Sequence, residues 1–212
     1  MDRKTLIAGI ALAVAASWPI AGCGGSSNSS SATVQSTLPS SPSSQSSPGA
    51  GQAPSEAQSA ATGDIPDNQV FLSFHNSKQG YTIRYPEGWA RTGNGAAVAF
   101  QDKANIIRVT VSKGHLPTVQ GAAAALARQK TTDPTISVGK PARATIAGAP
   151  VVKVTYTRQS APDPVTGKRL PLTIDRYVYS HNGKVAVVDL GTPKGVDNVD
   201  AYRMISQSFR WR

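Results

Sequence analysis

Apolar and polar residues alternate in several short segments of the chain after residue 80. Three of these segments are centred on Ile83, Val109 and Val154, and Pro86-Glu87-Gly88 follows the first. Alternation with a period of two predicts strands that have one buried and one solvent-exposed face. Such strands are typical of an antiparallel sheet.

Three pairs of turn residues add hairpins to this pattern. Asn182-Gly183 separates two apolar runs and favours the positive φ angles of a two-residue hairpin turn. Ala147-Gly148 and Thr166-Gly167 are expected to turn two further hairpins, which gives about seven strands in all. Gly93-Asn94-Gly95 is also interpreted as a hairpin turn, because no helix pattern follows it as a dinucleotide-binding loop requires.

Two helices are expected among the strands. Thr118 can cap the first, and its apolar positions recur at helical spacing. These positions are Val119, Ala122, Ala123, Leu126 and Ala127. The alanines predict close packing of this helix on the sheet. Asp197 or Asn198 can cap the second helix. Its expected core positions are Val199, Tyr202, Ile205 and Phe209. The predicted fold class is α+β, with helices packed on an antiparallel sheet.

The segment from Gly80 to Trp89, Gly-Tyr-Thr-Ile-Arg-Tyr-Pro-Glu-Gly-Trp, carries a family resemblance together with this order of elements. It resembles the PsbP/Mog1-like domain family, including actinobacterial lipoproteins of the LpqN type. The resemblance implies an αβα sandwich and a non-catalytic binding or assembly role. Within the segment, Trp89 is expected to fold back over the core.

The N-terminal segment contains the only cysteine of the chain, Cys23. Arg3 and Lys4 precede an apolar stretch, and Ala21-Gly22 stand directly before the cysteine. The segment resembles a bacterial lipoprotein signal peptide, although Ile20 stands where that motif most often has Leu. The resemblance implies cleavage between Gly22 and Cys23 and lipidation of the Cys23 thiol. Secretion with a free thiol and an uncleaved membrane span are the alternatives.

The predicted domain organisation follows from composition. Residues 1–22 are the expected signal peptide, and residues 23–63 form a Ser-, Pro-, Ala- and Gly-rich tether with too few large apolar groups to build a core. Residues 64–212 are the expected single domain. The expected location is therefore the extracytoplasmic face of the cell membrane, with the protein held there by its lipid anchor.

The predicted domain is strongly basic. Of the 22 Lys and Arg residues, only Arg3 and Lys4 precede it, and of the 12 Asp and Glu residues, only Asp2 and Glu56 do. The domain therefore carries the whole formal charge of +10. Outside the cytoplasm this charge favours a protein or an anionic envelope component as the partner, and nucleic acid is not expected. A generally basic surface is the alternative.

Candidate partner-binding residues lie in the longest polar segment of the domain, between Ser160 and Pro171. Its adjacent cations, Lys168 and Arg169, are the candidate contact, and three prolines restrict the loop. An ordinary exposed hairpin loop is the alternative.

Motifs for catalysis or metal binding are weak. Ser137 and Lys140 fit the Ser-x-x-Lys pattern of penicillin-recognising enzymes, but Gly139 opposes the helix that this chemistry needs. Asp189, Asp197 and Asp200 could converge on a cation, although carboxylates in the first turn of a helix are also stabilising without one. No cofactor, metal or catalytic residue is expected.

The sequence thus favours a membrane-anchored, non-catalytic binding or assembly module for another envelope component. A small-ligand or lipid carrier of the envelope is the second hypothesis, and an enzyme of unrecognised type is the third. The tight alanine face of the first helix argues against a cavity beneath it.

Overall fold

Strands dominate the residues that the structure, a computed structural model, describes, namely 63–163 and 165–212. Over these residues the chain forms eleven strands and two helices. In chain order they are β1 Phe71–Asn76, β2 Tyr81–Pro86, β3 Ala90–Thr92, β4 Ala97–Asp102, β5 Asn105–Lys113, α1 Val119–Gln129, β6 Ser137–Val138, β7 Ala142–Ile146, β8 Ala149–Gln159, β9 Pro171–His181, β10 Lys184–Pro193, α2 Val199–Ser208 and β11 Arg210–Trp211.

The strands form two antiparallel sheets. The large sheet has eight strands in the order β3-β4-β5-β10-β9-β8-β6, with β7 also paired to β8. The small sheet has the order β1-β2-β11. The α+β class with helices on an antiparallel sheet is confirmed. Three of the strands beyond the predicted seven or so, β3, β6 and β11, have only two or three residues, too few to show an alternating pattern.

The predicted hairpin turns are present. Asn182 and Gly183 have φ angles of 45° and 70°, and His181 pairs with Lys184 across the turn. Ala147 and Gly148 likewise have positive φ angles and join β7 to β8. The Gly93-Asn94-Gly95 segment joins β3 to β4, and a Cβ atom on Gly93 would lie 2.3 Å from the Ala97 carbonyl oxygen. That close approach explains the glycine.

The first helix begins where the sequence predicts. The Thr118 hydroxyl oxygen accepts a hydrogen bond from the Gly121 amide at 3.0 Å, which caps the helix N-terminus. Ala122 and Leu126 are buried against the sheet. Ala127 was expected to face the core but is exposed, because the helix buries a stripe narrower than the predicted one.

The second helix follows Asn198, but the Asn198 side chain makes no capping hydrogen bond. It accepts a hydrogen bond from the Ile65 amide and donates to the Gly63 carbonyl oxygen, and so ties the start of the described chain to α2. Tyr202 and Ile205 are buried as predicted. The prediction for Val199 was wrong, because this residue is 67% exposed. It is the first residue of α2, and the residues of the helix that are buried begin at Tyr202.

The two faces of the large sheet bury two separate cores. The small sheet and α2 cover one face, where Trp89 is buried as expected. Helix α1 packs on the opposite face, mainly against β8. Neighbouring residues confirm the two faces: Val151 belongs to the first core and Val152 to the second.

Within the described residues, neither helix is long and apolar enough to cross a membrane.

Candidate anion-binding cleft

A cleft of about 830 Å³ lies on the α1 face of the large sheet. Its floor comes from β5, β8, β9 and β10, and the loop between β8 and β9 forms one wall. Helix α1 contributes no lining residue, so the cleft occupies the part of this face that the helix leaves uncovered. Its volume lies within the range of small-molecule sites.

Positive charge predominates around the cleft. Among the described residues, five basic side chains and two acidic side chains line it. The basic residues are Lys103, Arg108, Arg158, Lys168 and Lys194, and the acidic residues are Asp163 and Asp189. Arg158 is already paired with Asp133, outside the lining, by a salt bridge of 2.9 Å. Clefts lined by charges of one sign concentrate ligands of the opposite sign.

The carboxylate of Asp189 is buried and paired with a guanidinium group. Arg176 donates from Nε and one terminal nitrogen to the two Asp189 oxygens, at 2.7 and 2.8 Å. Burial lowers the pKa of Arg176, but the hydrogen bonds and charge of Asp189 outweigh it, so the net shift is upward. The Arg176 guanidinium also lies over the Tyr156 ring. Asp189 is thereby neutralised from the β9 side.

Arg108 lies on the other side of Asp189. The two residues are direct partners in the β5–β10 register, as Asp189 and Arg176 are in the β10–β9 register. Arg108 is half-buried and forms no salt bridge with any residue that the structure describes. Because Asp189 already holds Arg176, the charge of Arg108 is left largely uncompensated beside the cleft.

The other acidic residue, Asp163, is engaged by its own loop. Its Oδ1 accepts hydrogen bonds from the Thr166 amide at 2.7 Å, the Thr166 hydroxyl at 2.9 Å and the Val165 amide at 3.0 Å. Hydrogen bonds from Thr166 lower the pKa of Asp163, and the one from Val165 adds to the effect. The carboxylate therefore stabilises the loop and stays ionised, so it offsets one of the positive charges around the cleft.

Apolar side chains form the rest of the floor. Ile106 and Ile174 lie on either side of Gly191 in the register, and Leu172 is buried nearby. A Cβ atom on Gly191 would lie 2.8 Å from Ile106 Cγ2 and 3.1 Å from Ile174 Cγ1. The glycine therefore leaves room for the two isoleucines, which approach β10 from both sides and line the cleft.

The structure separates the two predicted partner contacts. Lys168 lines the cleft, whereas Arg169 donates to the Ser160 carbonyl oxygen at 2.9 Å and closes its own loop. Binding by either residue stays a prediction. Gly22 and Cys23 lie outside the described residues.

The three aspartates considered for a metal do not form a cluster. Asp189 is paired with Arg176, and Asp200 with Arg203. Asp197 accepts a hydrogen bond from the Val199 amide at the start of α2. Among the described residues, no group of three or more potential protein ligands is placed to hold a metal ion.

Most residues of the cleft were missed by sequence reasoning. Arg108 was visible as a polar position in the alternation of β5, whereas Arg158 stands in β8 at a position where the alternation would place an apolar residue. Nothing in the local pattern shows that β5 lies next to β10. That pairing joins residues about 80 positions apart and brings Arg108 to Asp189.

A smaller cleft of about 400 Å³ lies on the opposite face, between the sheet and α2. Lys153 and Asp175, which form a salt bridge of 2.8 Å, line it together with Tyr177. Opposite charges are already paired here, so this cleft has less excess charge than the larger one.

Several solved structures are similar in fold to this chain. Cyanobacterial PsbP from Synechocystis sp. PCC 6803 is 17% identical, with a TM-score of 0.49, and the match covers 72% of this chain and 99% of that protein. The Ran-binding protein Mog1p of Saccharomyces cerevisiae is 8% identical, with a TM-score of 0.43 and coverages of 68% and 96%. LpqN of Mycobacterium tuberculosis, described as involved in cell envelope biogenesis, is 15% identical, with a TM-score of 0.38 and coverages of 68% and 91%.

PsbP, Mog1 and LpqN were also the proteins named in the resemblance of the Gly80–Trp89 segment. The chain matches no protein-family model and no curated protein sequence.

Proposed function

We propose that the protein is an extracytoplasmic lipoprotein whose basic cleft binds an anionic component of the cell envelope without changing it chemically. One observation carries the binding role: Arg108, Lys168 and Lys194 line a cleft whose Asp189 is paired with Arg176, so that Asp163 is the one lining carboxylate among the described residues left to offset them. The excess positive charge is therefore available to a ligand. The anchoring at Cys23 is supported by the sequence of the N-terminal segment alone.

The chemistry of the lining suits holding a charge better than transferring a proton. Burial, together with the charge of Asp189, raises the pKa of Tyr156 to about 12, so this phenol stays protonated at neutral pH. Asp189 has both oxygens bonded to Arg176. General acids and bases work best with pKa values near the ambient pH. The three histidines of the chain, His75, His115 and His181, are not among the lining residues.

The binding role can be tested with a matched pair of triple variants of the full chain. One variant neutralises the cleft with Arg108→Gln, Lys168→Gln and Lys194→Gln. The other removes the same charge from exposed cations outside the cleft, with Lys130→Gln, Lys140→Gln and Arg143→Gln. Binding to anionic vesicles, to isolated wall polymers and to envelope proteins is measured from low to physiological salt.

We expect the cleft variant to bind its anionic target at least about tenfold more weakly, with a flatter salt dependence, because it loses contacts to a partly buried charge. The control should lose less than about threefold, as exposed charges contribute little each. Equal losses in the two variants would mean that the charge of +10 acts as a general surface property, and the proposal would be wrong.

The anchor has its own test. Cys23→Ser removes the thiol that would receive the lipid, so the protein should remain as unprocessed precursor or be released from the membrane. Detergent partitioning and gel mobility that match those of the native chain would contradict the lipoprotein part of the proposal.

A further inference from the structure

The lining of the cleft is divided into a charged region and an apolar region. Arg108, Lys168 and Lys194 belong to the charged region. Ile106, Ile174, Leu170 and Leu172 belong to the apolar region. Both regions line one continuous space. A ligand that fills the space must therefore satisfy both kinds of surface.

The apolar region is accessible at its outer side. Leu170 is 46% exposed although it belongs to the wall of the cleft, and Ile106 is half-buried on the floor. Ile106 and Ile174 both approach Gly191 closely, and the buried Ile174 supports the exposed surface that Ile106 and Leu170 supply. Apolar surface left in water is unfavourable and becomes favourable when a hydrocarbon covers it.

We propose that the ligand of the cleft is a single-chain amphipathic anion, with a phosphate or carboxylate head held by Arg108 and the lysines, and a hydrocarbon part lying on Ile106, Ile174 and Leu170. This inference rests on the proposed function and names the class of ligand. Charge complementarity selects the head, and the apolar floor selects the tail.

An inorganic anion would use only half of this site. Its charge can be met by Arg108, but the exposed parts of Ile106 and Leu170 stay in water. Each CH₂ group that becomes buried raises affinity by up to roughly fourfold, so affinity should rise with chain length until the floor is covered.

The test is a titration of the full chain, held in nanodiscs of zwitterionic lipid, with inorganic phosphate and with butyl, hexyl and octyl phosphate. Empty nanodiscs correct for partitioning, and octanol serves as the uncharged amphiphile. Three variants are compared: Arg108→Gln for the head, Leu170→Asn for the tail, and Arg143→Gln as the control outside the cleft. Circular dichroism and thermal unfolding confirm that each variant is folded.

We expect octyl phosphate to bind at least about tenfold more tightly than butyl phosphate, and octanol to bind more weakly than octyl phosphate. Arg108→Gln should weaken all the alkyl phosphates by about tenfold, because a charge-assisted hydrogen bond is lost. Leu170→Asn should reduce the dependence on chain length and leave the affinity for inorganic phosphate unchanged. Arg143→Gln should resemble the native chain.

Equal affinity for butyl and octyl phosphate, or an unchanged dependence on chain length in Leu170→Asn, would overturn the amphiphile inference while the anion-binding proposal stands. Binding of octanol as tight as that of octyl phosphate would overturn it as well. So would capture by vesicles of anionic lipid with no binding of monomeric alkyl phosphates, since the site would then recognise a membrane surface. If the native chain bound none of these anions, the proposed function itself would be wrong.

Discussion

The two faces of the large sheet are built from the same strands, yet one is fully covered by other elements and the other is only partly covered. On the α2 face, aromatic residues fill the space between the layers: Tyr81 stacks on Phe209 at 5.4 Å, and Phe74 meets Phe100 edge-to-face at the same distance. Tyr81 and Phe100 are fully buried. On the α1 face, Arg108 and Ile106 stay half-buried beside a cleft.

The difference follows from the size of the covering elements. A helix is about 10 Å wide and strands lie about 4.8 Å apart, so one helix covers about two strands. Helix α1 packs mainly on β8, at one side of an eight-stranded sheet. The α2 face gains a three-stranded sheet in addition to its helix. One face is therefore closed as a core, and part of the other remains open as a binding surface.

The largest expected effect separates a core residue from a residue of the cleft wall. Phe100→Ala should lower the free energy of unfolding by about 3–5 kcal/mol, because it empties a fully buried aromatic site. Leu170→Ala, on the exposed wall of the cleft, should change it by less than about 0.5 kcal/mol. Urea denaturation of both variants measures the contrast, and similar losses would show that the cleft wall is part of the core.

The closed face was largely predictable from the sequence, and the open one was not. The strand alternation identified Ile107 and Val109 as core, and the Asn182-Gly183 turn fixed the β9–β10 hairpin, because these signals are local. The cleft depends on β5 pairing with β10 and on the place where α1 ends, and both are long-range outcomes of packing. Lys168 was found because it stands in a loop, whereas Arg108 looked like any solvent-facing strand residue.

The second effect concerns how the start of the described chain is held on the α2 face. The Asn198 side-chain amide is buried. It accepts a hydrogen bond from the Ile65 backbone N–H and donates to the Gly63 carbonyl oxygen and the Thr192 hydroxyl. Asn198→Ala should cost about 1–3 kcal/mol of stability, since it leaves the buried Ile65 amide without its acceptor. A loss of stability within the error of denaturant titration would mean that the hydrogen bonds of Asn198 do not fix the segment around Ile65 on the domain. Hydrogen exchange at Ile65 should be faster in the variant.

The smallest effect at neutral pH concerns Tyr156 on the cleft floor, and it grows only in alkaline solution. Burial raises the folded-state pKa of Tyr156 to about 12, above the ordinary value of 10.0, so the native state keeps this proton after the unfolded state has lost it. Stability is therefore present below pH 10 and falls between about pH 10 and about pH 12, by at most about 1.4 kcal/mol per pH unit for this residue.

Tyr156→Phe should make that decline shallower while changing stability little at pH 8, because the Tyr156 hydroxyl lies at a long 3.4 Å from Asp189 Oδ2. Urea denaturation across this pH range measures the slope. The other buried tyrosines with raised pKa values, Tyr81, Tyr177, Tyr179 and Tyr202, keep their contributions in the variant. An unchanged slope would show that Tyr156 ionises as easily as an exposed phenol.

The most direct measurement of the difference between the two faces is methyl NMR of the full chain during titration with octyl phosphate. Methyl groups report the face on which a side chain lies, even where two residues are neighbours in one strand. We expect shifts at the cleft methyl groups of Ile106, Leu170 and Ile174. The buried methyl groups of Val109, Val188 and Ile205 on the α2 face should stay unchanged. Shifts confined to the α2 face, or none on either face at saturating ligand, would contradict the assignment of the cleft as the binding site.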